Sequence, residues 1–205
     1  MTSHPYAKTI WDKLMSEINN EIGVAGLMGN LRAESGLYPD RVQGDIPYSS
    51  YSQEYTADVD SGVISEYDFV HNGPGGGGYG LAQWTFYTRK QELYNWWKNK
   101  GYSSIGDVNL ACDFLIYELK SYGLFTELQN ATSIRTVSDR ILHDFENPDD
   151  QSEAVEVVRY NLGVEVYNAF SGSTPIDPET PSTPSGNRKN TQMSLLLMAI
   201  GSNSI

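Results

Sequence analysis

The sequence holds a single cysteine, Cys112, so no disulfide can form within the chain. Its folding therefore does not call for an oxidising compartment. Histidine is scarce as well. His4, His71 and His143 lie far apart without metal-ligand spacing, which argues against a zinc amidase and leaves no metal or other cofactor expected. Basic residues are few: 14 Lys and Arg stand against 26 Asp and Glu, a formal charge of −12. A duplex nucleic-acid binder needs a basic patch, so no nucleic-acid partner is expected. The same charge gives no pull toward an anionic cell wall. A wall would have to be met through shape and sugar contacts, or by delivery within a larger assembly. Long apolar runs are missing. The longest, Leu195 to Ile200, falls far short of the roughly 20 residues of a spanning helix, so no stable transmembrane segment is expected. Met1 to Ile10 lacks the basic-then-apolar pattern of a secretion signal. The glycines from Gly75 to Gly80 are not followed by the Lys-Ser/Thr of a phosphate-binding loop.

What is present suits one folded domain with a proper core: 205 residues, 39% apolar and 12% aromatic. Tyr6, Ile10, Leu14 and Ile18 recur every four residues after Ser3 and Pro5, predicting a first helix. A second begins near Asn20, with Val24, Leu27, Met28 and Leu31 as its apolar face. Gly23, Gly26, Gly29 and Ala33 thin out the rest of it. Each glycine costs roughly 1 kcal/mol of helix propensity, so such a helix is expected where other backbone comes close. Gly36 is its stop signal and leaves Glu34 in the last turn.

Residues 37–53 read as a polar loop, Glu54 to Asp60 as a short helix, and Val63 to Val70 as a short strand. Asn72 to Gly80, with six glycines and a proline, reads as a connection. Four further helices are predicted: from beyond Thr85 to about Asn99, from Asp107 to Gly123, from Ser133 to Phe145, and from about Gln151 to Phe170. Residues 1–170 are thus expected to form the domain. Residues 171–190 carry four of the nine prolines and read as a linker, and 191–205 as a short apolar tail.

The chemically informative segment is Gly29-Asn30-Leu31-Arg32-Ala33-Glu34-Ser35-Gly36-Leu37. The last turn of a helix carries partial negative charge from its free carbonyls, which disfavours an ionised carboxylate there. An apolar surround acts in the same direction. A carboxyl that keeps its proton near neutral pH can protonate a glycosidic oxygen, the tuning best known from lysozyme. By placement alone, an exposed helix-end glutamate explains Glu34 better than a catalytic one. A second segment is Gly78-Tyr79-Gly80-Leu81-Ala82-Gln83-Trp84. Gln83 offers an amide donor and acceptor, and Tyr79 and Trp84 offer ring faces, all suited to sugars; a tight turn entering the core is the structural alternative.

Together the two segments resemble the pattern of goose-type lysozymes and lytic transglycosylases: a helix ending in Glu-Ser-Gly, a loop, then Gly-Leu-Ala-Gln. The closer resemblance is to the phage tail lysozyme domain of tail-tip proteins and endolysins. It rests on Ala25 to Leu31, Ala33 to Leu37, Gly78 to Thr85, Arg89-Lys90, and Phe145-Glu146-Asn147-Pro148, where Asn147 stands in place of the more usual Arg. The resemblance covers roughly residues 5 to 170. It implies a mainly α (α+β lysozyme-like) fold, a helical domain with a small β/loop region beside an active-site cleft. It implies Glu34 as catalytic acid, with Ser35, Gln43, Tyr79, Gln83 and Trp84 on the substrate side. The partners implied are peptidoglycan glycan strands and other phage tail proteins. The place of action is the phage tail, or the host cytoplasm before release, against the cell wall.

The second carboxylate is not settled by the residues. Inverting hydrolysis needs a base roughly 6.5–9.5 Å from the acid and retention a nucleophile at about 5–5.5 Å, whereas a transglycosylase uses the sugar's own 6-hydroxyl. Asp45, in Gln43-Gly44-Asp45, ranks first among Asp45, Asp58, Asp60, Glu66 and Asp68. A cysteine peptidase is set aside, because Cys112 falls in a regular helix where it reads as a small buried hydrophobe. The remaining rival is a non-catalytic tail or wall-binding protein that keeps the fold, and an intact Glu34 motif favours an enzyme over it.

Overall fold

A computed structural model describes residues 1–72, 77–174 and 176. The expected linker 171–190 lies mostly outside the described residues, the tail 191–205 wholly so, and the glycine-rich connection in part. Nine α-helices follow in order among the described residues: α1 (Ala7–Ile18), α2 (Glu21–Ser35), α3 (Ser50–Ser61), α4 (Glu66–His71), α5 (Tyr87–Lys100), α6 (Val108–Ser121), α7 (Phe125–Gln129), α8 (Ile134–Ile141) and α9 (Glu153–Phe170). Extended pairing among these residues is limited to two isolated antiparallel bridges, Val42 with Tyr79 and Tyr79 with Trp84. The fold is mainly α. No helix of the described residues is long and apolar enough to cross a membrane.

Helix α2 is the centre of the molecule. Asn20 caps it by accepting a 3.0 Å bond from the Gly23 amide, and Gly36 ends it at φ +64°. Every residue from Gly23 to Leu31 is buried, with α1, α7, α8 and α9 packed around it. The glycines are explained by that packing. A Cβ on Gly29 would lie 2.5 Å from the Arg159 carbonyl oxygen and 2.6 Å from the Gly163 amide nitrogen of α9. One on Gly23 would lie 2.1 Å from the Leu128 carbonyl oxygen of α7. The propensity lost at these positions allows helix axes to approach to backbone contact, where dispersion and burial compensate.

Three local differences from the sequence reading matter. Val63 to Val70 contains no strand: Ser65 accepts from the Asp68 amide at 3.1 Å and donates to its carboxylate at 2.6 Å, and that reciprocal cap starts α4 despite the β-branched residues around it. The short helix α7 was not expected. The helix expected from Ser133 to Phe145 stops being α-helical at Ile141, and Leu142 to Glu146 form one π-turn closed by Asn147 at φ +46°. Single π-turns are frequent at functional sites. This one buries Phe145 beneath Arg89, whose guanidinium lies 4.9 Å from the ring centroid, and sets Glu146 at the edge of a cleft.

Candidate active site

Glu34 is the last residue but one of α2. Its Oε1 accepts from Arg159 Nη2 of α9, and Arg159 Nη1 donates to Asn30 Oδ1 at 3.1 Å. Asn30, one turn before Glu34, donates in turn to the Gly26 carbonyl and to the Ser138 carbonyl, each at 3.1 Å. The carboxylate is therefore fixed by a chain of bonds through α2, α8 and α9. The Arg159 side chain is 8% exposed and that of Glu34 20%. The apolar surround expected for Glu34 is not what the fold supplies: a guanidinium is its immediate neighbour.

Glu34 opens into a cleft of about 1030 Å³. Arg41, Gln43, Tyr48, Gln83 and Phe86 line it from the loops, and Arg89 and Glu146 from α5 and the π-turn. The loop wall is built by side chain to backbone bonding. Gln43 Oε1 accepts from the Gly78 amide at 2.6 Å. Gln83 Nε2 donates to the Arg41 and Gly80 carbonyls at 3.1 and 2.9 Å. Tyr38 stacks on Tyr48 with ring centroids 3.8 Å apart, and the Tyr48 hydroxyl donates to Asp40 at 2.7 Å. Burial raises the Asp40 carboxyl, with the Tyr48 bond opposing, and burial brings the nearby His4 imidazole down to about 4.

Of the residues expected at the site, Glu34, Gln43 and Gln83 come together on the cleft. Ser35 is buried: its hydroxyl donates to the Leu31 carbonyl at 3.0 Å and accepts from the Leu37 amide at 3.2 Å, closing the helix end. Tyr79 and Trp84 are fully buried and present no face to the cleft. Their paired bridge turns both rings inward. The Tyr79 hydroxyl bonds Thr56 at 2.8 Å, and burial raises it well above the usual phenol range. Trp84 Nε1 donates to Glu118 at 2.6 Å. Gly80, at φ +80°, lies on the Trp84 ring, 2.8 Å from where its Cβ would be. The glycine there makes room for a core tryptophan rather than for a ligand.

Asp45 also departs from expectation. It is buried and is not among the residues lining the cleft. It accepts from the Ser49 amide and hydroxyl at 3.1 and 2.5 Å, and from the Ser52 amide and hydroxyl at 3.3 and 2.6 Å. Burial raises its carboxyl, but these bonds outweigh burial and the net shift is downward. Asp45 thus anchors the start of α3. Asp58, Asp60, Glu66 and Asp68 likewise are not on the cleft; Asp60, for one, accepts from the Ile105 amide at 2.8 Å.

Sequence reasoning missed Glu146 and Arg159. Glu146 belongs to the Phe145-Glu146-Asn147-Pro148 segment of the resemblance, which assigns it no place at the site. Arg159 stands among buried residues of α9, between Val157 and Leu162, and a lone arginine on a buried helix face signals a buried partner. Glu146 Oε1 is screened from solvent and accepts no hydrogen bond. Burial first, and the charge of Glu34 second, raise its carboxyl well above the usual range, against the opposing pull of Arg159 and Arg89.

The site thus offers a fixed carboxylate, a second carboxyl with one buried oxygen that accepts no hydrogen bond, and a groove with amide and aromatic groups. No curated protein and no solved structure matches the chain. A family model described as phage tail lysozyme matches residues 5–170, which include Glu34, Glu146, Arg159 and both walls of the cleft. The chain belongs to the phage tail lysozyme family, a lysozyme-like family that acts on peptidoglycan.

Proposed function

We propose that the cleft binds a peptidoglycan glycan strand and that Glu34 protonates the β-1,4 glycosidic oxygen between N-acetylmuramic acid and N-acetylglucosamine. The observation that carries this reading is the placement of Glu34: a carboxylate held from behind by Arg159, at a helix end, on a cleft large enough for more than one sugar ring. Arg159 occupies Oε1 and leaves Oε2 for the substrate. Protonation turns the leaving sugar oxygen into a neutral hydroxyl, and the oxocarbenium-like centre that develops is captured by water. Asp45 has no part in the reaction, since its oxygens are committed to Ser49 and Ser52. Gln83 supplies polar contact to the strand, and the exposed ring of Phe86 a stacking face. Such a domain fits a phage tail that opens the host wall.

The test is Glu34→Gln, with purified peptidoglycan as substrate and circular dichroism as the check on folding. The variant stays folded and loses at least about 100-fold in rate, the low end of what a general acid contributes. Undiminished clearing by a folded variant refutes the assignment. Mass spectrometry of the released fragments then reads the mechanism. Reducing ends are expected; 1,6-anhydro ends would make the same Glu34 the acid of a lytic transglycosylase.

A further inference from the structure

Arg32, Arg89, Arg135, Arg140 and Arg159 each stand in an ion pair with a carboxylate. Arg41 does not, and it is the exception among the arginines of the described residues. It lines the cleft and is half-buried there. Its main chain is fixed: the Arg41 carbonyl accepts from the Gly80 amide at 2.7 Å and from Gln83 Nε2 at 3.1 Å. Its side chain returns to the end of α2. Nη1 donates to the Ser35 carbonyl at 3.3 Å and lies 3.3 Å from where a Cβ on Gly36 would be. That one long bond leaves most of the guanidinium N–H donors unused. The charge of Asp45 is felt at the guanidinium, but Asp45 makes no ion pair with it, its oxygens being held by Ser49 and Ser52. Arginine is rarely drawn into a fold without a partner. A guanidinium seated next to the residue that follows Glu34, with its backbone pinned and its donors free, is a preformed seat for an anion.

The surroundings select among anions. Glu34, Glu146, Asp149 and Glu165 line the same cleft, and the chain carries a formal charge of −12. A phosphate polymer laid along the cleft therefore meets repulsion over its whole length, whereas a single carboxylate can meet Arg41 alone. Ile46 and Pro47 stand on the same wall, Ile46 with 62% of its surface exposed. That apolar surface gains by covering small peptide methyls and gains nothing from sugar hydroxyls. N-acetylmuramic acid carries a short peptide of alanine and acidic residues, and the peptide starts on the sugar whose glycosidic bond is cut. We propose that Arg41 binds a free carboxylate of this peptide, so that the cleft reads strands that bear peptide in preference to bare glycan. The inference rests on the reading of the cleft as the strand site. Arg41 sets specificity and takes no part in breaking the bond. The planar fork accepts a carboxylate through two parallel N–H donors, which fixes the orientation of the muramic acid as well as its affinity.

The experiment uses the full chain and peptidoglycan freed of phosphate polymers with hydrofluoric acid, before and after its free carboxyls are turned into amides with carbodiimide and ammonia. Where muramic acid bears its peptide, its own carboxyl is already an amide, so the carboxyls removed are those of the peptide. Arg41→Gln is expected to raise KM about fivefold on the untreated wall, the upper end for a partly exposed ion pair, with kcat within about twofold. Amidation raises the KM of the unaltered protein by a similar factor and adds nothing to that of Arg41→Gln, the non-additivity of two changes to one contact. Arg41→Lys, which keeps the charge and loses the fork, falls between. The same ordering is expected in sedimentation binding to the untreated wall in a Glu34→Gln background, a readout that does not depend on turnover. An unmoved KM, a fall in kcat alone, or an equal penalty from amidation in both proteins overturns the proposal. So does an effect of Arg41→Gln seen only on walls that keep their phosphate polymers, or a lowered Tm with the same loss on every substrate. An active Glu34→Gln variant would instead sink the assignment of the acid and leave the binding result standing, so the two failures are distinguishable.

Discussion

The two walls of the cleft are built by different physics. The wall made by α2 and α9 is held by backbone meeting backbone at Gly29 and Gly163, with a buried Asn30–Arg159 bond locking it. The wall made by residues 38–48 and 77–86 has only isolated bridges in place of packed helices; a few backbone bonds, Gln43 amide to Gly78 carbonyl at 2.9 Å and Gly80 amide to Arg41 carbonyl at 2.7 Å, and side-chain bonds such as Gln43 to Gly78 and Gln83 to Arg41 tie it. The first leaves no room for adjustment, since close-packed interiors transmit displacement rather than absorb it. The second can yield locally. The acid stands on the wall that cannot move, and the amide and aromatic groups stand on the wall that can. Proton delivery needs a fixed distance, whereas a strand of repeating sugars needs tolerance.

The largest effect that would test this contrast is a methyl group on each wall. Gly29→Ala places a Cβ against the Arg159 and Gly163 backbone and is expected to cost about 3 kcal/mol in denaturant unfolding, with most activity lost. Gly44→Ala, in open space at φ +85°, costs about 1 kcal/mol from backbone strain alone. Equal costs would remove the distinction. Next, Asn30→Ala frees Arg159 from its anchor and leaves the Ser138 and Gly26 carbonyls short of a donor. A loss of about 2 kcal/mol is expected, together with a fall in kcat at unchanged KM. A KM effect instead would place Asn30 on the recognition side.

Asp45→Asn tests the loop wall's own anchor. It is expected to cost about 1–2 kcal/mol and to leave kcat within twofold, where a catalytic base would lose orders of magnitude. Its pH signature has a definite sign. A carboxyl lowered on folding stabilises above its unfolded value, near 3.9, and that contribution disappears as pH falls through the lowered folded value. Thermal melts of the unaltered protein should lose this contribution between about pH 5 and pH 2, and those of Asp45→Asn should lack it. The smallest effect is Phe86→Ala, in an exposed ring on the cleft. A fewfold rise in KM with no change in Tm is expected, about 1 kcal/mol or less of lost stacking. A drop in Tm would make Phe86 a structural residue.

Much of this molecule was legible in its local patterns. Asn20, Gly36, Asp107 and Ser133 mark helix ends where the structure has them, because capping depends on neighbours a few residues away. The glycines of α2 correctly announced a close backbone neighbour. The strand expected at 63–70 gave way to the Ser65–Asp68 cap, a local signal that competed with β-branched composition and won. At the site the limits were different in kind. Tyr79 and Trp84 have the chemistry of sugar platforms, but composition does not say which way a ring turns, and paired bridges turned both inward. Asp45 was singled out for its loop, and Ser49 and Ser52 then claimed its oxygens.

The sequence by itself determined most of the longer helices and several of their caps, the family and the position of Glu34 at a helix terminus, since each depends on short-range geometry or on a motif of adjacent residues. Only the tertiary structure decided what surrounds that carboxyl. Arg159 lies 125 residues away along the chain, and Glu146 reaches the cleft through a π-turn that no periodicity announced. Partnership between charges depends on which helices pack together, and packing is a property of the whole fold.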